Sequence, residues 1–146
     1  MTAQTRTGSR FVLGVLAGLA GVVVLAALWH LLGGAAPPRQ ENYEYSGYFL
    51  GCLSWPFAAA YFALSIALGW GVRRGWPVAL GMVLPLPIAM GIEMASNPTS
   101  HNLMPFEVLL YWLPAFGLAF LGAHLGERLA TRFAPMEAAP RGGKQP

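Results

Sequence analysis

Charge is scarce in this sequence: Asp, Glu, Lys and Arg together supply 10% of its 146 residues, against roughly 25% in a soluble globular domain, whose surface has to face water. Hydrophobic residues supply 55%, so the implied solvent is a bilayer. Cysteine is scarcer still. A single Cys52 excludes an internal disulfide and the sulfur-relay chemistry of membrane thiol oxidoreductases, which needs cysteine pairs; alone, it reads as a small apolar packing residue. Close-spaced catalytic patterns are missing as well. There is no H-E-x-x-H or comparable metal spacing, no nucleophilic serine motif and no glycine-rich phosphate loop, which leaves an enzyme with little support. The net charge is +3, but the cations sit at the ends of apolar runs and draw no basic face, so nucleic acid is not an implied partner. No cofactor is implied either.

What is present is a series of apolar runs. The first, 11–32, is 22 residues without a formal charge, and at 1.5 Å per residue it matches about 30 Å of bilayer hydrocarbon. It follows a short polar arm carrying Arg6 and Arg10, and it is too long for the apolar core of a secretory signal. Gly14 and Gly18, with Ala17 and Gly21, fall four apart and form a strip where another helix backbone can approach closely. A loop at 37–48 follows, in which Tyr43, Tyr45 and Tyr48 suit an interfacial belt. The second run, 49–72, carries a similar strip of Ala59, Ala63, Ala67 and Gly71. The basic turn Arg73-Arg74-Gly75 then predicts that helices two and three are antiparallel neighbours.

The third run, 78–96, contains Pro85 and Pro87, which remove backbone hydrogen bonds and kink a helix. The fourth, 108–126, has Pro114 in its first half and a Gly122/Gly126 pair. The fold expected is an all-α membrane protein, a four-transmembrane-helix bundle over 1–132, with a flexible cytoplasmic tail at 133–146. Eight of the nine Lys and Arg residues fall in the N-terminal arm, the Arg73-Arg74 turn and the C-terminal tail. The positive-inside rule therefore places both termini in the cytoplasm and the other two loops outside, as expected for a multi-pass protein of a bacterial inner membrane.

That orientation gathers His30, Glu93, His101 and Glu107 at one face. Glu93 stands out, because a carboxylate in the last turns of a helix meets the negative end of the dipole and is costly below the interface without a partner. His101 is the partner expected for it. Two imidazoles and two carboxylates also make acceptable metal ligands, and whether they take one is left open. His124, near Glu127 and Arg128, reads as an interfacial side chain. The joint itself is turn chemistry: Asn97-Pro98 ends one helix, Ser100 and Asn102 can cap the next, and Pro105 and Glu107 suit its first turn.

The segment N-P-T-S-H-N-L-M-P-F-E at 97–107 resembles one found between helices three and four of small, uncharacterised bacterial inner-membrane proteins, often with an acidic residue where Asn97 stands. The resemblance covers about a dozen residues and implies location and size, not activity. Small multidrug exporters share only the helix count, since their essential acidic residue is in the first helix and none occurs here. Three functions remain: a structural or accessory protein binding a partner or a second copy of itself through small-residue strips; a small transporter or ion pathway using Glu93; and a membrane enzyme or metal site using His101, Glu93 and Glu107. The accessory reading ranks first because it asks least of the polar residues. A reporter active only outside the cytoplasm, fused after Gly34, Trp76, His101 or Pro146, is expected to give signal at the first and third sites alone. Signal at Trp76 overturns the topology.

Overall fold

The structure, a computed structural model, describes residues 3–34, 49, 52, 54–96, 106 and 108–133. No strand occurs among them. Helix α1 runs Ala3–Leu31, so it begins inside the segment expected to be a polar arm; residues 3–10 contain no proline, and nothing there stops a helix. It ends in a Schellman turn. Gly34 donates to the carbonyl of Trp29 (2.9 Å) and Gly33 to that of His30 (3.2 Å), with Gly33 in the left-handed region at φ 81°, where a Cβ would be costly.

Helix α2 is Trp55–Val72, and its start corrects the expected boundary at residue 49. Ser54 is the N-cap, its hydroxyl accepting from the backbone N–H of Phe57 (3.3 Å), and Pro56 sits in the first turn, where a missing N–H costs nothing. Before it, Cys52 donates its backbone N–H to Phe49 (3.1 Å) in a turn. Helix α2 ends on Arg73 at φ 56° and ψ 34°, a left-handed conformation that a side-chain-bearing residue adopts at a cost of about 1 kcal/mol.

The third run is divided as its prolines require, into α3 (Gly75–Val83) and α4 (Pro85–Ser96). Pro85 and Pro87 have no N–H, so the carbonyls of Gly81 and Val83 lose their helical donors. Leu84 keeps right-handed dihedrals and donates to Leu80 (3.2 Å). The last run opens with a π-helical turn, Val108–Trp112, and continues as α5, Leu113–Arg132, longer than the expected 108–126. The ring of Pro114 would collide with the carbonyl of Leu110 in a regular α-helix, and the wider π turn makes room for it. Four spans, Gly8–Leu31, Trp55–Val72, Gly75–Ser96 and Leu109–Arg132, are long and apolar enough to cross a membrane.

The spans pack in the cyclic order one, three, four, two. Spans two and three, joined by the tightest turn, touch only slightly and stand on a diagonal. They are not the neighbours the short turn suggested, because side-chain size selects the contacts. Span three is the central element: 50% of its apolar window is buried, against 22%, 17% and 22% for the others. Its inner half, α3, is wedged between α1 and α5, whereas α4 has few contacts with the other described helices. Arg10, Arg73, Arg74, Arg128 and Arg132 all fall at one end of the bundle, called here the basic end; His30, Cys52, Ser54 and Ser96 mark the other.

Small residues fill the interior. Ala26, Ala79, Ala119, Ala123 and Ala130 are buried, while Leu13, Leu16, Val24, Leu28, Leu121 and Leu125 lie on the outside. This inversion of the soluble pattern is the one expected of helices in lipid, which is as apolar as leucine, so that association depends on close van der Waals contact. Two glycine seams provide it. A Cβ on Gly18 would strike the carbonyl of Val78 and approach the Met82 nitrogen (2.9 Å), and one on Gly81 would strike the Val15 carbonyl. Between spans two and four, Gly69 faces the Ala123 backbone, Gly122 the Ser65 hydroxyl and Gly126 the Ile66 carbonyl. Gly14 meets Pro77. The strips at Gly14/Gly18 and Gly122/Gly126, open from the sequence to a helix of the same chain or of a second one, are occupied within this chain. Ala59, Ala63, Ala67 and Gly71 are exposed, and they do not pack the bundle.

At the basic end, α3 begins at Arg74, which supplies no side-chain cap. Glu127 of α5 takes that role across the bundle, its Oε2 accepting from the backbone N–H of Gly75 (2.9 Å), with its charge at the positive end of the helix dipole. His124 is half-buried, bonded through Nδ1 to the carbonyl of Phe120 (2.9 Å) and lying against the Phe120 ring at 4.1 Å. Gly18→Leu is expected to destabilise the monomer by about 2 kcal/mol or more, since backbone on the facing helix cannot yield, whereas the exposed Ala63→Leu should stay within about 0.5 kcal/mol. Thermal unfolding of both variants in detergent checks this.

Candidate functional site

Two irregularities, the proline break in span three and the π turn in span four, lie in the same half of the bundle, away from the basic end. Close packing fails where backbones are displaced by missing hydrogen bonds. The result is a cavity of about 560 Å³ bounded by spans two, three and four, with Val22 of α1 at its floor. Protein interiors hold few voids larger than a water molecule, and ligand pockets run from roughly 300 to 1,000 Å³. This volume belongs to the second class.

Each span contributes a distinct part of the wall. Helix α2 presents Phe57, Ala58 and Tyr61, the break presents Met82, Val83 and Pro85, and span four presents Tyr111, Trp112, Pro114 and Ala115. Cys52 and Ser54 stand at the rim end of α2. No Asp, Glu, Lys, Arg or His lines it among the described residues. The rings are held by one another: Phe57 lies edge-on to Trp29 (5.5 Å) and against Tyr61 (6.3 Å), and Trp112 stacks on Phe116 (6.0 Å), which stacks on Phe120 (5.8 Å). Trp76 of α3 meets Phe116 and Phe120 edge-on. Aromatic pairs in these geometries add to the packing energy and fix ring orientation.

Polar atoms in this wall are few and incompletely used. The Ser54 hydroxyl caps α2, and Ser65, behind the wall, donates to the Phe62 carbonyl (2.7 Å). The Tyr61 hydroxyl and the indole N–H of Trp112 are buried without a hydrogen-bond partner among the described residues, as is the indole N–H of Trp29. Tyr61 is 5% exposed. A buried donor left unsatisfied costs about 1–3 kcal/mol. Sequence reading missed them: Tyr61 and Trp112 sit inside apolar runs and look like ordinary packing residues, and only the proline spacing in two spans hinted at a gap.

The polar cluster expected from the sequence is only partly within view. His101, Glu107 and the joint residues Asn97, Pro98, Ser100, Asn102 and Pro105 lie outside the described residues, as do Tyr43, Tyr45 and Tyr48. Glu93 is buried at 4% exposure in α4. His30 is half-buried, with Nε2 3.7 Å from the Cys52 sulfur, which ties the far ends of spans one and two together. Among the described residues, no three His, Cys, Asp or Glu side chains form a group able to hold a metal ion.

Cys52 precedes the second span and is buried at 1% exposure. Burial disfavours the thiolate and pushes the thiol up to about 11. Because the thiolate is the reactive form, a maleimide at pH 7.5 is expected to label the folded protein slowly and the SDS-denatured chain completely. A raised folded-state value also means that stability falls as pH climbs from about 9, the thiol's ordinary value, towards 11. Rapid labelling of the folded protein at pH 7.5 would contradict this burial.

The chain matches no protein-family profile, no curated protein and no solved structure, so the reading of its function rests on its own geometry.

Proposed function

We propose that this chain is a small accessory protein of a bacterial inner membrane, with both termini in the cytoplasm, that holds an apolar, lipid-like molecule in the half of its bundle away from the cytoplasm. The observation that carries this reading is the cavity of about 560 Å³ between spans two, three and four, with no charged side chain among the described lining residues. Its wall is apolar and aromatic, as a site for a hydrophobic ligand requires, and the bundle around it exposes leucines suited to acyl chains. Such a ligand enters sideways from the bilayer, without crossing water. The proline break after Leu84 forms the span-three wall of the cavity, through Val83, Pro85 and Leu86.

Binding to a partner or to a second copy is part of the same accessory role. The exposed row Ala59, Ala63 and Ala67 on α2 is the small-residue strip left for it, now that the glycine strips are used within the chain. Glu93 supports a second reading, an ion or proton pathway, because a buried carboxylate in a proline-broken span is a common site for charge movement.

Mass spectrometry of organic extracts from the purified protein is expected to show a stoichiometric apolar compound. Ala58→Phe and Ala115→Phe, which fill the cavity, should carry at least several-fold less while remaining folded. Equal loading of native and filled variants would place the compound elsewhere. Glu93→Gln should retain the compound under the carrier reading. Reconstituted vesicles containing native protein, but not Glu93→Gln, acidifying under a proton gradient would favour the pathway.

A further inference from the structure

Two arginines stand one helical turn apart on the outer face of span four, at the basic end. Arg128 and Arg132 are both exposed on α5, and residues four apart on a helix are neighbours, with Cβ atoms about 5–6 Å apart. Like charges so placed destabilise a helix unless an opposite charge lies between them. Neither guanidinium has a hydrogen bond or ion pair among the described residues. Glu127 is the one carboxylate of this end among those residues, and its Oε2 is committed to the Gly75 N–H (2.9 Å), where it caps α3. The pair therefore presents a double positive charge that no described side chain matches.

The surface beside the pair suits hydrocarbon. Leu125 and Leu121 follow Arg128 along the same face at steps of three and four residues, and both are exposed. The opposite face of α5, with Ala119, Gly122, Ala123, Gly126 and Ala130, is the one buried in the bundle. A guanidinium offers N–H groups in a planar fork that matches two phosphate oxygens, so two of them one turn apart fit a phosphodiester whose acyl chains lie over the leucines. Free phosphate would use the arginines and leave the leucines idle. A zwitterionic lipid brings an ammonium group that the two arginines repel.

We propose that Arg128 and Arg132 hold the phosphate of an anionic phospholipid, with an acyl chain running along Leu125 and Leu121 on the outer face of span four. This site is at the opposite end of the bundle from the cavity and does not depend on what the cavity holds.

The test titrates the full chain in detergent with dioleoyl phosphatidylglycerol or dioleoyl phosphatidylcholine, with and without inorganic phosphate as competitor, and counts bound lipid by native mass spectrometry. Phosphatidylglycerol should bind several-fold more tightly than phosphatidylcholine. Arg128→Gln and Arg132→Gln should each weaken it about fivefold, the strength of one cation at an anionic lipid surface, and leave phosphatidylcholine unaffected. Both positions are exposed, so the thermal midpoint without lipid should stay close to native. Arg10→Gln removes a charge from the same end on span one, diagonally across from span four, and should change nothing. In the native protein alone, raising the salt about tenfold should release phosphatidylglycerol selectively, because exposed charges are screened. Equal binding and salt response of the two lipids, or undiminished binding in both span-four variants, overturns the proposal. An equal loss in Arg10→Gln also overturns it, by showing a diffuse surface potential in place of a site. Displacement by inorganic phosphate at the concentration of the lipid would assign the arginines to a free anion. Ala115→Phe, which fills the cavity, should bind phosphatidylglycerol as the native protein does; a loss confined to that variant would put the lipid in the cavity and overturn this proposal alone.

Discussion

Backbone-to-backbone approach at two glycine seams is the constraint on which the rest of this bundle depends. Gly18 and Gly81 bring spans one and three together, and Gly69, Gly122 and Gly126 do the same for spans two and four. In lipid no solvent squeezes helices together, so the depth of interpenetration sets the contact energy. Most leucines are accordingly on the outside, and alanine and glycine, with a few valines and methionines and Tyr61, are within. The seams also settle the arrangement. Once one pairs with three and two with four, the short Arg73-Arg74 turn has to cross a diagonal, and Arg73 adopts its left-handed conformation to do so.

The opposite half of the bundle departs from this rule, and it does so at prolines. Pro85 interrupts span three and Pro114 is preceded by a π turn in span four, so neither span continues its tight packing there. Glycine seams near the basic end and proline irregularities near the other divide the molecule into a closed half and a half with an internal volume. Glu127 reinforces the closed half by capping α3 from another helix. No glycine is among the described residues lining the cavity.

Aromatic rings in the wall of this volume give it shape, and none of its described lining residues carries a charge. Phe57, Tyr61 and Trp112 are held edge to face or face to face by neighbours, so the rings are fixed in direction. An apolar wall of fixed shape is how sites recognise hydrophobic molecules while rejecting ions. Glu93 on α4 is a buried ionisable group of the same half, and His30 on α1 is a half-buried one.

The sequence by itself determined the class of this protein, the number of spans and the places where helices break. Those features are local: a charge-free run of membrane length, a serine before Trp55-Pro56, two prolines in span three and a glycine pair after Leu32 act on their own segment whatever surrounds it. Boundaries shifted by several residues, at Ala3, Trp55 and Arg132, because caps and the absence of breakers, not hydropathy, end a helix. Which helices touch was decided only in three dimensions. Glycine spacing marks a surface as approachable but does not say by what, so Gly14 and Gly18 read equally well as an oligomer face and as the intrachain contact they make, while the similar row at Ala59 stays outside. The cavity was illegible for the same reason. It is made from spans two, three and four at once, and a tyrosine or tryptophan in an apolar run reveals a missing hydrogen bond only when every neighbour has been placed.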